Sequence, residues 1–332
     1  MTTVGVALAA GVGSRLAPLT DHTPKPLLPL LDRPLLVHLL EQLAGAGAEH
    51  LYVNLHHHAE QVAGVLDRTE LPVDVTYRRE PVLTGPAGAL ALFAEELTRA
   101  DEILVVSGDV VLGEELPALL ATHRRRGAEL TFGVVRTTEA RRFGVLDLDG
   151  DGRVVRAREK PDVPDHETHW ISAGVYCLAP ELVGWLVDEL TRVPSLDYAR
   201  HLAPDLLARG RAVFGHPLAG YWRDVGTPQA YRAANVDAAM GAVAGVRPRE
   251  SSRHGAGIVV ADTAVLGDDV RLTAPAVIGA GAVVGDRCQV ADSVLLPGAR
   301  LPADTFLVSG LLADALTEIP WTSSSSPRPS TR

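Results

Sequence analysis

The chain has 332 residues, 46% of them hydrophobic and 22% charged, which is the composition of a globular protein that buries a large core. Because single cores stop growing near ~250–300 residues, this length predicts two domains. The 41 acidic residues outnumber the 31 basic ones, and the net charge of −10 disfavours nucleic acid or an anionic membrane as a partner. The sequence has no run of ~18 apolar residues, so no membrane span is predicted.

The cysteines and the first residues bear on the cellular location. Cys177 and Cys288 lie far apart and cannot form a disulfide framework or a metal site made of cysteines alone. No basic residue precedes the first apolar stretch, so we expect no signal peptide. These observations predict a cytoplasmic protein.

Short apolar runs alternate with helical patterns over the first 240 residues. The predicted strands are residues 4–9, 51–55, 73–77 and 103–106. The predicted helices are residues 34–43, 58–66, 87–97, 180–190, 198–208 and 228–240. This alternation indicates a Rossmann-like, doubly wound α/β sheet that places ligands at the carboxyl ends of its strands. Residues 143–148 and 154–158 predict a hairpin around the turn 149–152, so we expect a mixed sheet.

A different pattern begins after a stretch rich in glycine, arginine and serine. Aliphatic residues recur at every sixth position, at Val260, Leu266, Leu272, Ile278, Val284, Val290 and Leu296. A helix cannot produce this period, which is typical of a parallel β-helix. Arg300 interrupts the accompanying series of small residues and predicts the end of the regular coil. The predicted boundaries are an α/β domain at 1–240, a linker at 241–257, a short left-handed β-helix at 258–312 and a tail at 313–332 that ends in disorder.

Only two of the basic residues are lysines, Lys25 and Lys160. One interpretation is chance survival in a chain that favours arginine. The other is that each position requires a compact ammonium group that a planar guanidinium cannot replace. Both lysines lie in motifs with chemical content, which favours the second interpretation.

The strongest motif follows the first predicted strand. It runs from Ala10-Gly11-Val12-Gly13-Ser14-Arg15 to Leu19-Thr20, and Pro24-Lys25-Pro26 comes next. Glycines let backbone amides approach phosphate oxygens, and two cations can neutralise a polyphosphate. The loop lacks the third glycine of a dinucleotide fingerprint and the Gly-Lys-Ser/Thr of a P-loop.

This motif resembles the signature of the sugar-1-phosphate nucleotidylyltransferases, G-x-G-x-R-x-x-P-L-T followed by P-K-P. The resemblance implies that residues 1–240 form a catalytic domain that joins a nucleoside triphosphate (NTP) to a sugar 1-phosphate. It also implies that Arg15 and Lys25 bind the triphosphate and stabilise charge as pyrophosphate leaves. Ala10, Gly11, Gly13 and Ser14 would form the nucleotide loop.

A second loop, Glu80-Pro81-Val82-Leu83-Thr84-Gly85-Pro86-Ala87-Gly88, resembles the base-binding loop of the family, with Pro86 where the family has threonine. The resemblance assigns Glu80, Gly85 and Gly88 to the nucleotide. A carboxylate at Glu80 can accept hydrogen bonds from guanine N1–H and the N2 amino group, which favours GTP.

Two aspartates are implied as metal ligands. Asp109 ends a buried strand in Gly108-Asp109, and Asp224 lies in Trp222-Arg223-Asp224-Val225-Gly226-Thr227-Pro228, which resembles the family's W-x-D-x-G-T/Q-P. Two carboxylates, together with phosphate oxygens and waters, suit Mg²⁺. From their sequence alone, a turn or a helix cap would explain them equally well.

The sugar-phosphate site is implied by three further motifs. Glu159-Lys160-Pro161 matches the family's E-K-P, and Gly144 precedes it at the expected spacing. Ser172-Ala173-Gly174-Val175-Tyr176 resembles N-A-G-x-Y, with Ser172 in place of asparagine. A hydroxyl reaches fewer partners than a carboxamide, so the identity of the sugar stays open.

Three consecutive histidines, His56 to His58, resemble a metal cluster. Neighbouring residues of an extended chain point to opposite faces, so we expect exposed histidines in a loop.

The resemblance is greatest to mannose-1-phosphate guanylyltransferases, which predicts GTP and mannose 1-phosphate, or a related sugar or cyclitol phosphate, as substrates. The alternatives are a transferase that uses dTTP or ATP, and a catalytically silent subunit that binds a nucleotide sugar. Acyl transfer by the β-helix is disfavoured because residues 260–301 contain no histidine. We expect a homo-oligomer assembled through the β-helix.

Overall fold

The computed structural model describes residues 1–164, 166–248 and 255–313. They form two compact units. The first contains Met1–Pro29, Arg33–Thr227 and Val243–Val246, and the second contains Leu30–Asp32, Pro228–Ala242 and the described residues from Arg247 onward. None of the helices in these ranges is both long and apolar enough to span a bilayer.

The strands before residue 228 include the strands predicted from the sequence. They are β1 (Thr3–Leu8), β2 (Pro29–Leu30), β3 (Arg33–Pro34), β4 (Ala48–Leu55), β5 (Val75–Arg79), β6 (Glu102–Ser107), β7 (Val110–Leu112), β8 (Leu130–Thr137), β9 (Gly144–Leu148), β10 (Val154–Glu159), β11 (His169–Leu178), β12 (Val213–Pro217) and β13 (Trp222–Asp224). The sequence patterns did not predict β2, β3, β7, β8, β11, β12 or β13.

The α-helices are α1 (Leu35–Gly45), α2 (Ala59–Leu66), α3 (Gly85–Gly88), α4 (Ala94–Leu97), α5 (Leu116–Arg126), α6 (Glu181–Leu190), α7 (Ala203–Ala208) and α8 (Pro228–Ala239). Short 3-10 turns cover Ser14–Leu16, Lys25–Leu27, Ala89–Phe93 and Ala140–Arg142, and a π-helical turn covers Tyr198–Leu202. The predicted helix over residues 87–97 is therefore divided into α3, a 3-10 turn and α4.

The first unit is built around a mixed sheet, as predicted. Within the described residues the sheet has nine strands in the order β10-β9-β11-β6-β1-β4-β5, with β8 beside β11 and β12 beside β8. The strands β6, β1, β4 and β5 are parallel, so their carboxyl ends lie at one edge. Strands β9 and β10 form the predicted antiparallel hairpin.

Both faces of the sheet are buried. Alternate residues of β6 enter different hydrophobic clusters, with Ile103 and Val105 in one and Leu104 and Val106 in the other. A strand covered on both faces shows a continuous apolar sequence, which explains the unbroken run in β6. This arrangement leaves the strand ends as the accessible parts of the sheet.

The second unit contains parallel strands, an arrangement consistent with the coils of the β-helix that the sixfold repeat predicts. Their strands are β14 (Ile258–Val260), β15 (Val265–Leu266), β16 (Arg271–Ile278), β17 (Val283–Val284), β18 (Gln289–Leu295), β19 (Arg300–Leu301), β20 (Phe306–Val308) and β21 (Leu311–Leu312). Val260 pairs with Ile278 and Leu266 with Val284, so three hexads make one coil. A coil spans three hexads because each hexad, with its one inward aliphatic residue, forms one face of the coil.

One detail of the predicted repeat is wrong. Ile278 pairs with Leu295 and not with Leu296, because β18 has one residue fewer than β16 at this corner of the coil. The shift places Ala299 and Leu301 in the buried core, so the strict sixfold repeat is broken before Arg300. The strands continue to Leu312, the last residue of the predicted β-helix. Counting in strict sixes could not detect the missing residue.

The structure divides the chain differently from the predicted boundary at residue 240. Helix α8 groups with the coils, where Arg232 forms an ion pair with Asp292 at 2.8 Å. Asn235 of the same helix accepts a hydrogen bond from the backbone N–H of Leu31 at 2.8 Å. Of the predicted linker, Val243–Val246 belongs to the first unit, whereas residues 249–254 lie outside the described residues. The predicted tail beyond residue 313 also lies outside them.

Candidate active site

The predicted nucleotide loop lines a cavity of about 420 Å³ at the carboxyl edge of the sheet. Strand β1 ends at Leu8, and the chain then passes through the glycine loop and two 3-10 turns, which contain Ser14, Arg15 and Lys25. The predicted residues that line this cavity are Ala10, Gly11, Gly13, Ser14, Arg15 and Lys25. Lys25 is buried, whereas Arg15 is exposed at the cavity mouth.

The predicted base loop lines the same cavity through Glu80 and Gly85. Gly85 has a φ of +82°, and a Cβ atom there would lie 2.4 Å from the carbonyl oxygen of Leu196, so only glycine fits. Gly88 does not line the cavity. A Cβ atom at Gly88 would lie 3.0 Å from Cβ of Thr84 and 3.1 Å from Leu190, so its small size serves helix packing.

The Glu80 carboxylate already has donors within the protein. Its Oε1 accepts hydrogen bonds from the backbone N–H and the hydroxyl of Thr84, at 2.7 and 2.6 Å. Its Oε2 accepts from Nδ2 of Asn54 at 2.8 Å, and Oδ1 of Asn54 accepts from the backbone N–H of Ala9 at 2.8 Å. This differs from the sequence-based expectation that the carboxylate faces the base.

Strand pairing brings Asp109 and Asp224 together from distant parts of the sequence. Antiparallel strands β7 and β13 place Asp224 opposite Val110, and the N–H of Val225 donates to the carbonyl of Asp109 at 2.9 Å. A Cβ atom at Gly226 would lie 2.9 Å from Nη2 of Arg15 and 3.1 Å from the Asp224 carboxylate. The glycine therefore lets a guanidinium and a carboxylate approach the same stretch of backbone.

Charges converge on the two aspartates. Lys25 Nζ lies 3.0 Å from Oδ2 of Asp109, and Nη2 of Arg142 lies 3.7 Å from Oδ2 of Asp224. Burial, and then the charge of Asp109, raises the pKa of Asp224, while the nearby cations oppose this shift. Two carboxylates at one cavity wall are the donor set that a divalent cation uses together with substrate phosphates. The residues present therefore fit a metal ion bound between protein and nucleotide.

A second cavity, of about 270 Å³, adjoins the first. Arg15, Pro86, Ser107 and Asp109 line both. All predicted sugar-phosphate residues line the second cavity, namely Gly144, Glu159, Lys160, Ser172 and Tyr176. Because the shared wall contains the charged side chains of Arg15 and Asp109, ligands in the two cavities would meet beside these residues.

Glu159 and Lys160 differ in their surroundings. Burial, and then the charge of Asp197, raises the pKa of Glu159, and Lys160 Nζ lies 3.3 Å from its Oε1. The Lys160 side chain is 61% exposed, whereas Lys25 is buried. Lys160 can therefore reach a ligand that enters from solvent.

Ser172 occupies the position where the family motif has asparagine. Its hydroxyl donates to the Tyr176 hydroxyl at 3.1 Å, and the Tyr176 ring stacks on Tyr198 with centroids 3.8 Å apart. Burial raises the pKa of Tyr176 far above its usual range, so it stays a neutral hydroxyl. Ser172 and Tyr176 therefore form an uncharged, hydroxylic floor of the second cavity, beside charged lining residues such as Glu159 and Asp197.

Several cavity residues were not predicted from the sequence. Asn54 and Ser107 line the first cavity, and Arg142, Asp197 and Trp222 line the second. Asp197 carries a recognisable local signal, because it caps the turn at Tyr198–Leu202 by accepting from two backbone N–H groups. Arg142 has none, since only the fold brings it to Asp224.

The three histidines lie in the loop between β4 and α2, as predicted, but they are half-buried and not exposed. His56 is hydrogen-bonded through Nδ1 to the carbonyl of Glu80 at 2.7 Å, and the rings of His57 and His58 contact each other. Across the described residues no group of three or more His, Cys, Asp or Glu side chains is arranged to hold a metal ion.

Comparisons with known proteins agree with this geometry. The family model for nucleotidyl transferases matches residues 4–240. A mannose-1-phosphate guanylyltransferase from Mycobacterium tuberculosis is 34% identical over 301 residues, covering 90% of this chain and 81% of the relative. The mannose-1-phosphate guanylyltransferase catalytic subunit beta of Danio rerio is 29% identical over 314 residues, covering 91% and 83%.

A solved structure shares the fold. It comes from Bacillus anthracis, is described as a candidate glucose-1-phosphate thymidylyltransferase in complex with sucrose, and aligns with a TM-score of 0.61 at 23% identity. The alignment covers 70% of this chain and 94% of that one.

Proposed function

This chain belongs to the nucleotidyl transferase family and is a sugar-1-phosphate nucleotidyltransferase, and we propose that it joins GTP to mannose 1-phosphate. A related sugar phosphate or cyclitol phosphate is the alternative acceptor. The guanylyl group passes to the acceptor phosphate, and pyrophosphate is released.

The observation that carries the proposal is the pair of adjoining cavities with Arg15 and Asp109 in their common wall. The first cavity has the glycine loop and the buried Lys25, which suit a triphosphate. The second has Lys160 at its rim and Glu159 within, which suit a sugar phosphate and its hydroxyls. Ligands placed so would bring the acceptor phosphate to the α-phosphate of the NTP.

The proposed reaction is an in-line displacement at the α-phosphorus. An oxygen of the sugar phosphate forms the new bond to that phosphorus while the bond to the bridging oxygen of the β-phosphate breaks. The bonding electrons leave with pyrophosphate, so no covalent protein nucleophile is needed. Arg15 and Lys25 stabilise the negative charge that accumulates on the triphosphate, and Lys160 holds the acceptor.

We propose Mg²⁺ as the cofactor, held by Asp109 and Asp224 together with phosphate oxygens. When bound, this ion would neutralise phosphate charge and help to orient the reacting groups. The raised pKa of Asp224 fits the role, because a carboxylate that is costly to ionise alone gains most from a neighbouring cation.

The choice of GTP is supported by the relatives named as guanylyltransferases. The main alternative is dTTP, because the structural neighbour is described as a thymidylyltransferase. ATP is the next alternative. The test is pyrophosphate release from five NTPs, each with mannose, glucose and inositol phosphates. We expect kcat/KM for GTP with mannose 1-phosphate to be at least ~10-fold higher than for any other pair in the panel.

Other outcomes of this assay would be informative. Preference for dTTP would replace the guanine assignment and leave the reaction class intact. Binding of a nucleotide sugar without turnover of any pair would instead favour the silent subunit.

We further propose that the coils wind left-handed and support a homo-oligomer. The last coil supports an assembly role, because Phe306 and Val308 of β20 are 68% and 61% exposed. Two neighbouring apolar side chains on one outer strand suit contact with a second copy of this chain.

A further inference from the structure

The carboxylate of Glu80 lies at the meeting point of the two loops that line the nucleotide cavity. The phosphate loop starts at Ala9, directly after β1, and the base loop follows β5. These strands flank β4, which ends in Asn54 and Leu55. The three strand ends are joined by side chains as well as by the sheet.

The joining bonds form one continuous series. The Ala9 N–H donates to Asn54, Asn54 donates to Glu80, and Thr84 donates to Glu80 twice. All four distances lie between 2.6 and 2.8 Å, and Asn54 and Glu80 are each 3% exposed. Buried polar groups that are hydrogen-bonded to one another favour a single arrangement of the chain, so the series is suited to holding both loops in register.

Direct recognition of guanine by Glu80 is difficult to combine with this series. A carboxylate has about four acceptor positions, and three are filled by Thr84 and Asn54. Guanine offers two donors, N1–H and N2–H, that a carboxylate accepts with one oxygen each. Oε1 already accepts twice, so it cannot serve as the second acceptor.

We propose that Glu80 is a positioning residue that sets the base loop against the phosphate loop through Asn54 and Thr84, and does not itself read the base. The proposal rests on the proposed nucleotidyl transfer, but not on the identity of the NTP. If the series is lost, kcat/KM should therefore fall by the same factor for every NTP.

Each hydrogen bond in the series has a fixed donor and a fixed acceptor, which makes the series testable. In Glu80→Gln the new amide group has one oxygen and one NH₂, so one end of it must face a donor, either Asn54 or Thr84. If the Asn54 amide rotates to accept from the new NH₂, its own NH₂ group faces the N–H donor of Ala9, so a donor still faces a donor. A buried donor that faces a donor is penalised, so we expect kcat/KM to fall about 10-fold or more for every NTP used.

A second substitution restores the pattern. In the double variant Asn54→Asp/Glu80→Gln, the new carboxylate at position 54 accepts from both Ala9 and the new amide at position 80, whose oxygen still accepts from Thr84. The charge of the pair is unchanged. We expect the double variant to recover to within about 3-fold of wild type, whereas Asn54→Asp alone places two carboxylates together and should lose as much as Glu80→Gln.

Base recognition is tested separately with inosine triphosphate, which lacks the N2 amino group of guanine. The GTP-to-ITP ratio of kcat/KM is measured for wild type, Glu80→Gln and the double variant. Positioning predicts the same ratio in all three, within about 2-fold. A ratio that collapses towards one in Glu80→Gln, or a double variant no better than the single one, would overturn the proposal.

Two further controls keep the test decisive. Thr84→Val removes one donor and should lower efficiency about 3-fold with GTP and ITP alike, and by more than Thr84→Ser, because serine keeps the hydroxyl donor. If Glu80→Gln does not fold, the Thr84 pair and the double variant still measure the effect. Failure of the proposed function would look different, because the wild type would then turn over no NTP with any sugar phosphate.

Discussion

The ammonium group of Lys25 lies 3.0 Å from Oδ2 of Asp109, although 84 residues separate them in the sequence. The contact links the phosphate loop to the end of β6, where the second proposed metal ligand, Asp224, also approaches. Lys25 is buried, so its surroundings leave little room for a broader head group. The scarcity of lysine in this arginine-rich chain therefore has a structural explanation at this position.

Lys25→Arg should retain the charge and lose about 10²-fold or more in kcat, equivalent to ~2.7 kcal/mol of transition-state stabilisation. Lys160→Arg is the matched comparison, because that side chain is 61% exposed and a longer head has space there. We expect a loss below ~10-fold for Lys160→Arg. Steady-state kinetics with saturating NTP would measure both, and equal losses would contradict the argument from burial.

Asp109→Asn and Asp224→Asn should each abolish metal-dependent turnover while the protein stays folded. The reason is that an amide binds Mg²⁺ much more weakly than a carboxylate does. Turnover with and without EDTA, and circular dichroism of each variant, provide the measurement. Asp188→Asn on the exposed face of α6 is a control that should behave as wild type. Full activity in the presence of EDTA would exclude the metal assignment.

Glu159→Gln should raise the thermal midpoint at pH 7.5 while lowering activity. Burial and Asp197 raise the folded-state pKa of Glu159, so its ionised form opposes folding. The contribution of Glu159 to stability is therefore fully present below the unfolded-state pKa of ~4.3. It is lost as the pH rises through the pKa of Glu159 in the folded state. The difference between variant and wild type should be positive at pH 7.5 and should vanish near pH 4.

Thermal scans at both pH values measure this difference. The exposed Glu70→Gln serves as the control and should show no such pH-dependent difference. A thermal midpoint of Glu159→Gln below that of wild type at pH 7.5 would contradict the raised pKa of Glu159.

Ser172→Asn should change the choice of sugar and leave the KM for the NTP unchanged. The hydroxyl of Ser172 donates to Tyr176 at the floor of the second cavity, and a carboxamide extends further and offers both a donor and an acceptor. We expect the ratio of kcat/KM between mannose and glucose 1-phosphates to shift about 10-fold. Ser172→Ala tests the hydroxyl alone. An unchanged ratio in both variants would remove Ser172 from sugar selection.

The double variant Phe306→Ser/Val308→Ser should lower the molar mass measured by light scattering, because both side chains are exposed on β20 and suit an interface. Val265→Ser removes a similarly exposed aliphatic residue from β15 and should leave the mass unchanged. The same mass for all three proteins would exclude β20 as the contact surface.

Local sequence determined much of this protein. The apolar runs, the glycine loop and the sixfold repeat depend on near neighbours, and the strands β1, β4, β5 and β6, the hairpin and the coils follow them. The residues implied by the family signatures meet in two adjoining cavities, with Gly88 as the exception. A motif reports which side chains are present within a few residues of one another.

The tertiary structure decided what these residues contact. Asp224 comes close to Asp109 because β13 pairs with β7, and α8 joins the coils through Arg232 and Asp292. Glu80 has the sequence position of a base-reading residue, yet its carboxylate is occupied by donors from Asn54 on β4 and from Thr84 in its own loop. Hydrogen-bond partners distant in the sequence depend on which strand ends are adjacent, and no local pattern records that adjacency.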